Sequence, residues 1–236
     1  MAKGILYGVG VGPGDPGLMT LKAVEVIRKC GVVAAPRTPG GATIALDIAR
    51  RAMDLGDKAI LALDFAMSPD AAARRLSHAA AANKLREALD AGNSVAMLSL
   101  GDVTIYSSFR YVADLLAPEG YAIEMIAGVP SFCAAAAALG VPLTAMDTPL
   151  LIVPDGAGEA RMPPGGNTVV VYMKSGRRLS DLLLRLRAAG RLDDAMLVQD
   201  CGLPNERIVP KLTHCDYGRR YRSLVVVKPG GRASGS

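Results

Sequence analysis

The sequence has no tryptophan, three phenylalanines and two histidines. Aromatic residues make up 4% of it, too few for the dense basic-aromatic patch that single-stranded nucleic acid requires. The four cysteines, Cys30, Cys133, Cys201 and Cys215, include no C-x-x-C pair. With only His78 and His214 to help, they make no clustered zinc ligand set and no disulfide framework. No protein-bound metal is expected, and the thiols read as buried or idle in a reducing compartment, the cytoplasm. No secretory leader is expected, because the apolar stretch from Ile5 is broken by glycines and ends at Asp15. Half of the residues are apolar and 21% are charged, without a low-hydrophobicity, high-charge stretch, which excludes a disordered chain. The longest gap in charge runs from Met125 to Met146, long enough to cross a bilayer. It holds Pro130, Pro142, Ser131, Thr144 and Cys133, so it reads as a buried loop and helix, and no membrane span is expected.

What the chain has in quantity is glycine (26), proline (15) and positive charge (net +5). Glycine and proline at this level imply many turns and places where backbone must come close to something. The 236 residues suit two domains and bury a full core without staples. The positive balance suits an acidic partner: nucleic acid, a polycarboxylate or a phosphate ligand. It is spread over pairs such as Arg50-Arg51, Arg74-Arg75, Arg177-Arg178 and Arg219-Arg220, each of which alone reads as a solvated face.

Periodicity gives an α/β chain. Strands are expected at residues 5–9, 30–35, 59–63, 95–100 and 123–126, alternating with helices at 18–27, 42–53, 70–91 and 107–116. That βαβα rhythm implies a mainly parallel sheet covered by helices. After a short alanine helix at 131–139 the pattern changes to strands at 150–153, 168–173, 195–199, 207–209 and 223–228, with a helix at 179–189. A second, more mixed sheet is expected there, with a long loop at 154–167. The boundary falls near Gly128, giving domains at residues 1–127 and 128–230 and a flexible tail at 231–236.

Five segments at expected strand ends stand out. Gly8-Val9-Gly10-Val11-Gly12-Pro13-Gly14-Asp15-Pro16 lets backbone approach a ligand, and Asp15 can cap the helix that follows. It is no dinucleotide or ATP fingerprint, since the G-x-G-x-x-G spacing fails and no Walker lysine follows. Ser99-Leu100-Gly101-Asp102-Val103-Thr104-Ile105-Tyr106-Ser107 places one carboxylate, Asp102, where ligands bind in open α/β sheets. Ala127-Gly128-Val129-Pro130-Ser131-Phe132-Cys133 leads into an alanine run in which Ser131 can cap a helix. Tyr172-Met173-Lys174 and Asp200-Cys201-Gly202-Leu203-Pro204-Asn205-Glu206-Arg207 follow two later strands. Taken singly, each is a turn or a cap.

In this order and spacing the five segments resemble the tetrapyrrole methylase family over nearly the whole length. The resemblance rests on GVGVGPGDPGLMTLKA, LSLGDVTIYSSFRY, AGVPSFCAAAAALGVPL, VVVYMKSG and CGLPNERIV. Within the family, GDVTIYSSF and PSFCAAAA are most similar to the methylase acting at C-20 of the macrocycle, whose substrate is cobalt-factor II or metal-free precorrin-2, on the way to cobalamin. Val103, Gly17 and Ala127 depart from the common pattern, which bears on loop contacts.

The resemblance implies two α/β domains forming a cleft, a homodimer, and S-adenosylmethionine as the methyl donor, with S-adenosylhomocysteine as product. Carried over by motif, donor contacts fall on Pro13, Gly101, Asp102, Val103, Ile105, Tyr106, Ser131, Phe132, Met173, Cys201, Gly202 and Ser223. Asp102 would accept from the donor's ammonium group and Met173 would cover the adenine. Candidates for removing the proton after methyl transfer are Asp15, Asp102 and Tyr106, with the macrocycle itself, water or the substrate carboxylates as alternatives. Eight substrate carboxylates fit the positive balance, and Arg37, Arg74, Arg75, Arg110, Arg161 and Arg177 are candidate partners by charge and loop position. The competing readings are a methylase of the same superfamily acting on another corrin position, on ribosomal RNA or on a modified histidine, and a non-enzymatic ligand carrier.

Overall fold

The protein is described by a computed structural model that covers residues 3–229 apart from residues 39, 69 and 155–166. The expected tail at 231–236, Arg161 and most of the expected loop at 154–167 lie outside the described residues. The chain divides into two compact units, Met1–Ser131 and Phe132–Ser236.

The first unit carries strands β1 (Leu6–Gly10), β2 (Val32–Arg37), β3 (Ala59–Asp64), β4 (Val95–Ser99) and β5 (Ile123–Ile126). Between them lie helices α1 (Leu21–Lys29), α2 (Ile44–Ala52), α3 (Ala71–Asp90) and α4 (Phe109–Leu116). The strands form one sheet in the order β3-β2-β4-β1-β5, every pairing parallel. Alternate residues of each strand enter different cores, as the two-residue period of a strand requires. On β4, Ala96 and Leu98 pack with Ile27 of α1 and Leu46 and Ile48 of α2. Val95 and Met97 pack with Leu85 and Leu89 of α3 and Phe109 and Leu116 of α4. Alanine and leucine set the long α3, and the Asp70 carboxylate starts it by accepting from Ala72 N at 2.9 Å.

The second unit carries α5 (Ser131–Ala138), which begins at the division, then β6 (Leu150–Pro154), β7 (Val169–Met173), α6 (Leu179–Ala188), β8 (Ala195–Gln199), β9 (Arg207–Val209) and β10 (Ser223–Val227). Its sheet has the order β6-β7-β10-β8-β9, with β6–β7 parallel and the other pairings antiparallel. Leu179, Leu182, Leu183 and Leu186 of α6 pack on Tyr172, Leu197 and Val225.

Two expectations need correction. The apolar spacing from Leu18 to Ile27 suggests one continuous helix. Instead a single 3-10 turn, Pro16–Leu18, ends at Met19 in extended backbone, and α1 starts afresh. Thr20 provides the new start, its hydroxyl accepting from Ala23 N at 3.1 Å, while Asp15 caps only the short turn through Gly17 N at 2.8 Å. The uncharged run from Met125 to Met146 is also not buried throughout. Ile126, Phe132 and Ala134 to Ala136 are buried, but Met125, on the edge strand β5, and Met146, in backbone without regular structure, are exposed. Among the described residues no helix is long and apolar enough to cross a membrane.

Candidate active site

In an open parallel sheet a ligand crevice forms where two adjacent strands send their following helices to opposite faces. β1 and β4 are such a pair. They are neighbours in the sheet, α1 packs on one face and α4 on the other. The loops that leave their carboxyl ends are the first two segments singled out above. They are tied together by a small bridge, Gly12 N to Gly101 O at 3.1 Å and Gly101 N to Gly12 O at 2.8 Å. Gly101 sits at φ 77°, a backbone region that side chains with a Cβ avoid.

Asp102 is 7% exposed and is the hub of this crevice. Its Oδ1 accepts from Thr104 N at 2.8 Å and from the Thr104 hydroxyl, and its Oδ2 accepts from Gly128 N at 2.7 Å. One carboxylate thereby joins the loops after β4 and β5. Burial pushes its pKa up, but the bonds from Thr104 and Gly128 outweigh that and hold it below the usual aspartate range. A carboxylate held this way is anionic and a weak base. Since a carboxylate has about four acceptor positions, Oδ2 keeps capacity for a further donor. Thr104 lies in the second segment but was given no role from the sequence, although Asp followed two residues later by Thr is the pattern of an Asx turn.

The other first-unit residues differ in what they offer. Pro13 is buried in the first loop. Val103 is buried in the core with Phe109 and Leu116, so its side chain faces its own unit and only its backbone is left for a ligand. Ile105 is half-buried, and Tyr106 is 47% exposed with φ 49°. Asp15 is exposed and engaged with Gly17 N. Ser131 is half-buried at the start of α5, and Phe132 is buried.

In the second unit, Met173, Cys201 and Gly202 lie at the ends of β7 and β8, next to Lys174 and Asp200, which belong to the same two segments but were given no role from the sequence. Lys174 (φ 59°) and Asp200 (φ 52°) hold left-handed backbone without being glycine, a strained state that concentrates at functional sites. Asp200 is 3% exposed and bound by Arg222 at 2.8 Å, Arg220 at 3.2 Å and Asn205 Nδ2 at 2.8 Å. Two arginines on one buried carboxylate fix the loop after β8. Ser223 does not present its hydroxyl to a ligand. It is fully buried, donates to Arg220 O at 2.6 Å and accepts from Gln199 Nε2 at 3.0 Å. Nearby, the buried Gln199 Oε1 and Ser175 Oγ have no partner among the described residues.

The thiols are suppressed where they are buried. Burial and the nearby Glu206 push Cys201 up to about 12, and burial pushes Cys30 up to about 11. All four cysteines are free. Cys30 and Cys201 of the native protein are therefore expected to react with iodoacetamide at pH 8 about a hundredfold more slowly than free cysteine, with full labelling on unfolding. Mass spectrometry of digested protein reads this directly, and labelling of either site at the free rate would contradict it. Among the described residues no group of three His, Cys, Asp or Glu side chains is placed to hold a metal ion.

The arginines expected on loops are mostly elsewhere. Arg74 and Arg75 lie in α3 and Arg110 in α4, where helix geometry pairs Arg110 with Asp114 at 3.3 Å. Arg177 is exposed in the turn after β7. Arg37 ends β2 and forms a two-point pair with Asp64.

Comparison with known proteins adds to this geometry. Residues 5–214 match the model of the Tetrapyrrole (Corrin/Porphyrin) Methylases. The chain is 34% identical over 240 residues to "Cobalamin biosynthesis protein CobIJ" of Mycobacterium tuberculosis, covering 98% of this chain but 47% of that protein, so it spans about half the length of the first curated relatives it matches. It is 34% identical to "Probable cobalt-precorrin-2 C(20)-methyltransferase" of Methanocaldococcus jannaschii, covering 94% of this chain and 95% of the relative. It is 31% identical to "Precorrin-2 C(20)-methyltransferase" of Sinorhizobium sp, covering 96% of each. Among solved structures, the cobalt precorrin-4 methyltransferase CbiF superimposes with a TM-score of 0.70 at 21% identity, over 94% of both chains, a likeness of fold. A family match over most of the length, with relatives above 30% identity from end to end, establishes that the chain belongs to the Tetrapyrrole (Corrin/Porphyrin) Methylases.

Proposed function

We propose that the protein transfers a methyl group from S-adenosylmethionine to C-20 of a tetrapyrrole in cobalamin biosynthesis. The substrate is cobalt-factor II of an early-cobalt route or precorrin-2 of a cobalt-free route, and any cobalt arrives with the substrate. The observation that carries this reading is the end-to-end similarity to two relatives whose names specify C-20 methylation. The same reading takes the protein as a cytoplasmic homodimer, on the strength of the family resemblance.

The residues suit the donor. Its amino acid part carries an ammonium group, and Asp102 is an anionic acceptor with capacity left on Oδ2. Backbone at Gly101 and Pro13 lies beside it, and Ile105 and Tyr106 follow on the same loop. In the second unit, Met173 and the loop Cys201-Gly202 offer apolar surface, and Gln199 Oε1 and Ser175 Oγ, without partners among the described residues, offer hydrogen-bonding capacity. The donor supplies a methyl group already activated on a sulfonium. The chain's own work is to align the nucleophilic carbon with the S–CH3 bond and to keep water out.

The C-20 carbon gains a bond to the methyl carbon while the S–CH3 bond breaks, leaving neutral S-adenosylhomocysteine. The proton then leaves C-20. Asp102 is a weak proton acceptor because its hydrogen bonds favour the carboxylate. Tyr106 and Asp15 remain as candidates, with the macrocycle or water as the alternative.

The test is to incubate purified protein and S-adenosylmethionine with each tetrapyrrole, with and without cobalt, and to weigh the product. One added methyl group on one of these substrates is expected. Transfer to ribosomal RNA in place of any tetrapyrrole would overturn the reading.

A further inference from the structure

The first unit has a second set of polar groups at the ligand edge of its sheet, away from the β1–β4 crevice. β2 and β3 end side by side on Arg37 and Asp64, which are direct partners in the parallel register. Their side chains form a two-point pair, Nε to Oδ1 at 2.8 Å and Nη2 to Oδ2 at 2.7 Å. Both are well exposed, and an exposed pair adds little to stability, about 0–1 kcal/mol. What it does is fix the guanidinium plane. The edge through Nε and Nη2 is engaged, and Nη1 has no partner among the described residues. Arginine recognises carboxylates through such planar edges.

This pair lines a cavity of about 530 Å³. Phe65 and Met67 make an apolar wall, and Phe65 rests on His78, which is stacked on Tyr111 at 4.3 Å. The carbonyl of Thr38, which follows β2, accepts from Gly41 N at 2.8 Å. The Asp64 charge is offset by Arg37 and by Lys84, both of which hold its carboxyl below the usual range. The cavity therefore presents an oriented hydrogen-bond donor, the Arg37 guanidinium, beside an apolar wall. Its volume is within the range of ligand pockets and takes part of a macrocycle.

We infer that this cavity is a specificity subsite that receives an acidic arm of the macrocycle, with Arg37 binding the carboxylate and Asp64 acting as the positioning residue for its guanidinium. The inference rests on the tetrapyrrole reading above and selects one arginine from the several that charge alone allows.

The test uses two stable probes, an octacarboxylate porphyrin and the tetracarboxylate porphyrin in which methyl groups replace the acetate arms. Each is titrated by fluorescence quenching into the full chain with S-adenosylhomocysteine present. The wild type is expected to bind the octacarboxylate more tightly. Arg37→Gln is expected to weaken it about tenfold and the tetracarboxylate by less than about twofold, erasing the discrimination. Arg37→Lys should restore part of it, since the charge returns without the planar fork. Asp64→Asn should reduce discrimination while Arg37 keeps its charge. Calorimetric affinity for S-adenosylhomocysteine should be unchanged in all three variants, which also reports that they fold. Equal binding of the two porphyrins by the wild type, or unchanged discrimination in Arg37→Gln, would overturn the inference even with methyl transfer intact. Arg37-dependent discrimination in a protein that methylates no tetrapyrrole would retain the inference and overturn the proposed reaction.

Discussion

Gly128→Ala is expected to destabilise the protein by about 3 kcal/mol and to lower turnover by about a hundredfold. A Cβ on Gly128 would lie 2.3 Å from Gly101 O and 2.8 Å from both Cα and the carbonyl carbon of Gly10. All three contacts are backbone, so no side chain can swing away. Gly128 cannot retreat either. Its N–H is held by Asp102 at 2.7 Å, and the carbonyl of the preceding Ala127 accepts from the Thr20 hydroxyl at 3.3 Å. Gly101 O is itself held by Gly12 N. The methyl group must therefore push apart the ends of β1 and the loops after β4 and β5. Those are the segments that form the crevice, so stability and donor binding should fall together. Thermal melting and a donor titration on the same preparation check this. A variant with wild-type melting and donor affinity would show that the three backbones are not packed as described.

Asp102→Asn is expected to weaken donor binding by about tenfold or more, and Asp102→Ala to add a clear loss of stability, about 2–5 kcal/mol. The two variants separate the roles of the charge and of the acceptors. Asparagine keeps the shape and one acceptor oxygen, but turns an NH2 toward one of the N–H groups of Gly128 or Thr104, and it offers no negative charge to an ammonium group. Alanine leaves both N–H groups without the carboxylate, and buried unsatisfied donors are costly. The pH dependence has a definite sign. A carboxylate whose folded pKa is depressed contributes stability that is fully present above its unfolded pKa, about 3.9, and is lost as pH falls through the folded value. The wild type should accordingly lose this contribution only below the ordinary aspartate range, and Asp102→Asn should be flatter there. Calorimetric titration of S-adenosylmethionine into both variants decides the binding part, and unchanged affinity would remove Asp102 from the donor site.

Much of this architecture was legible in the sequence because its signals are local. The apolar run Val95 to Leu98, the valine run Val169 to Val171 and the alanine-rich Ala71 to Asp90 fall where periodicity puts them. The five segments could be placed at strand ends because each follows such a run. What could not be read was the partner of each polar group. Nothing in the sequence near Asp102 says that its second oxygen binds Gly128 N, 26 residues away. The same holds for Ser223, which the family motif places on the donor but whose hydroxyl is taken up by Gln199 and Arg220 within the unit. The arginines show the limit most clearly. Charge nominates Arg110 and Arg37 equally, and only the fold separates an arginine paired along a helix from one held at a strand end beside a cavity. The false continuation of α1 through Leu18 has a simple cause: apolar spacing does not register that Thr20 starts a new helix.

The central claim is tested most directly by following the methyl group itself. S-adenosylmethionine carrying a carbon-13 label in its methyl is supplied with the cobalt-loaded and the metal-free tetrapyrrole, and the product is examined by NMR. The account predicts a single labelled methyl attached to the meso carbon C-20 of one of these substrates, with one equivalent of S-adenosylhomocysteine released. A label on any other carbon of the macrocycle, or release of S-adenosylhomocysteine with neither substrate labelled, would contradict it.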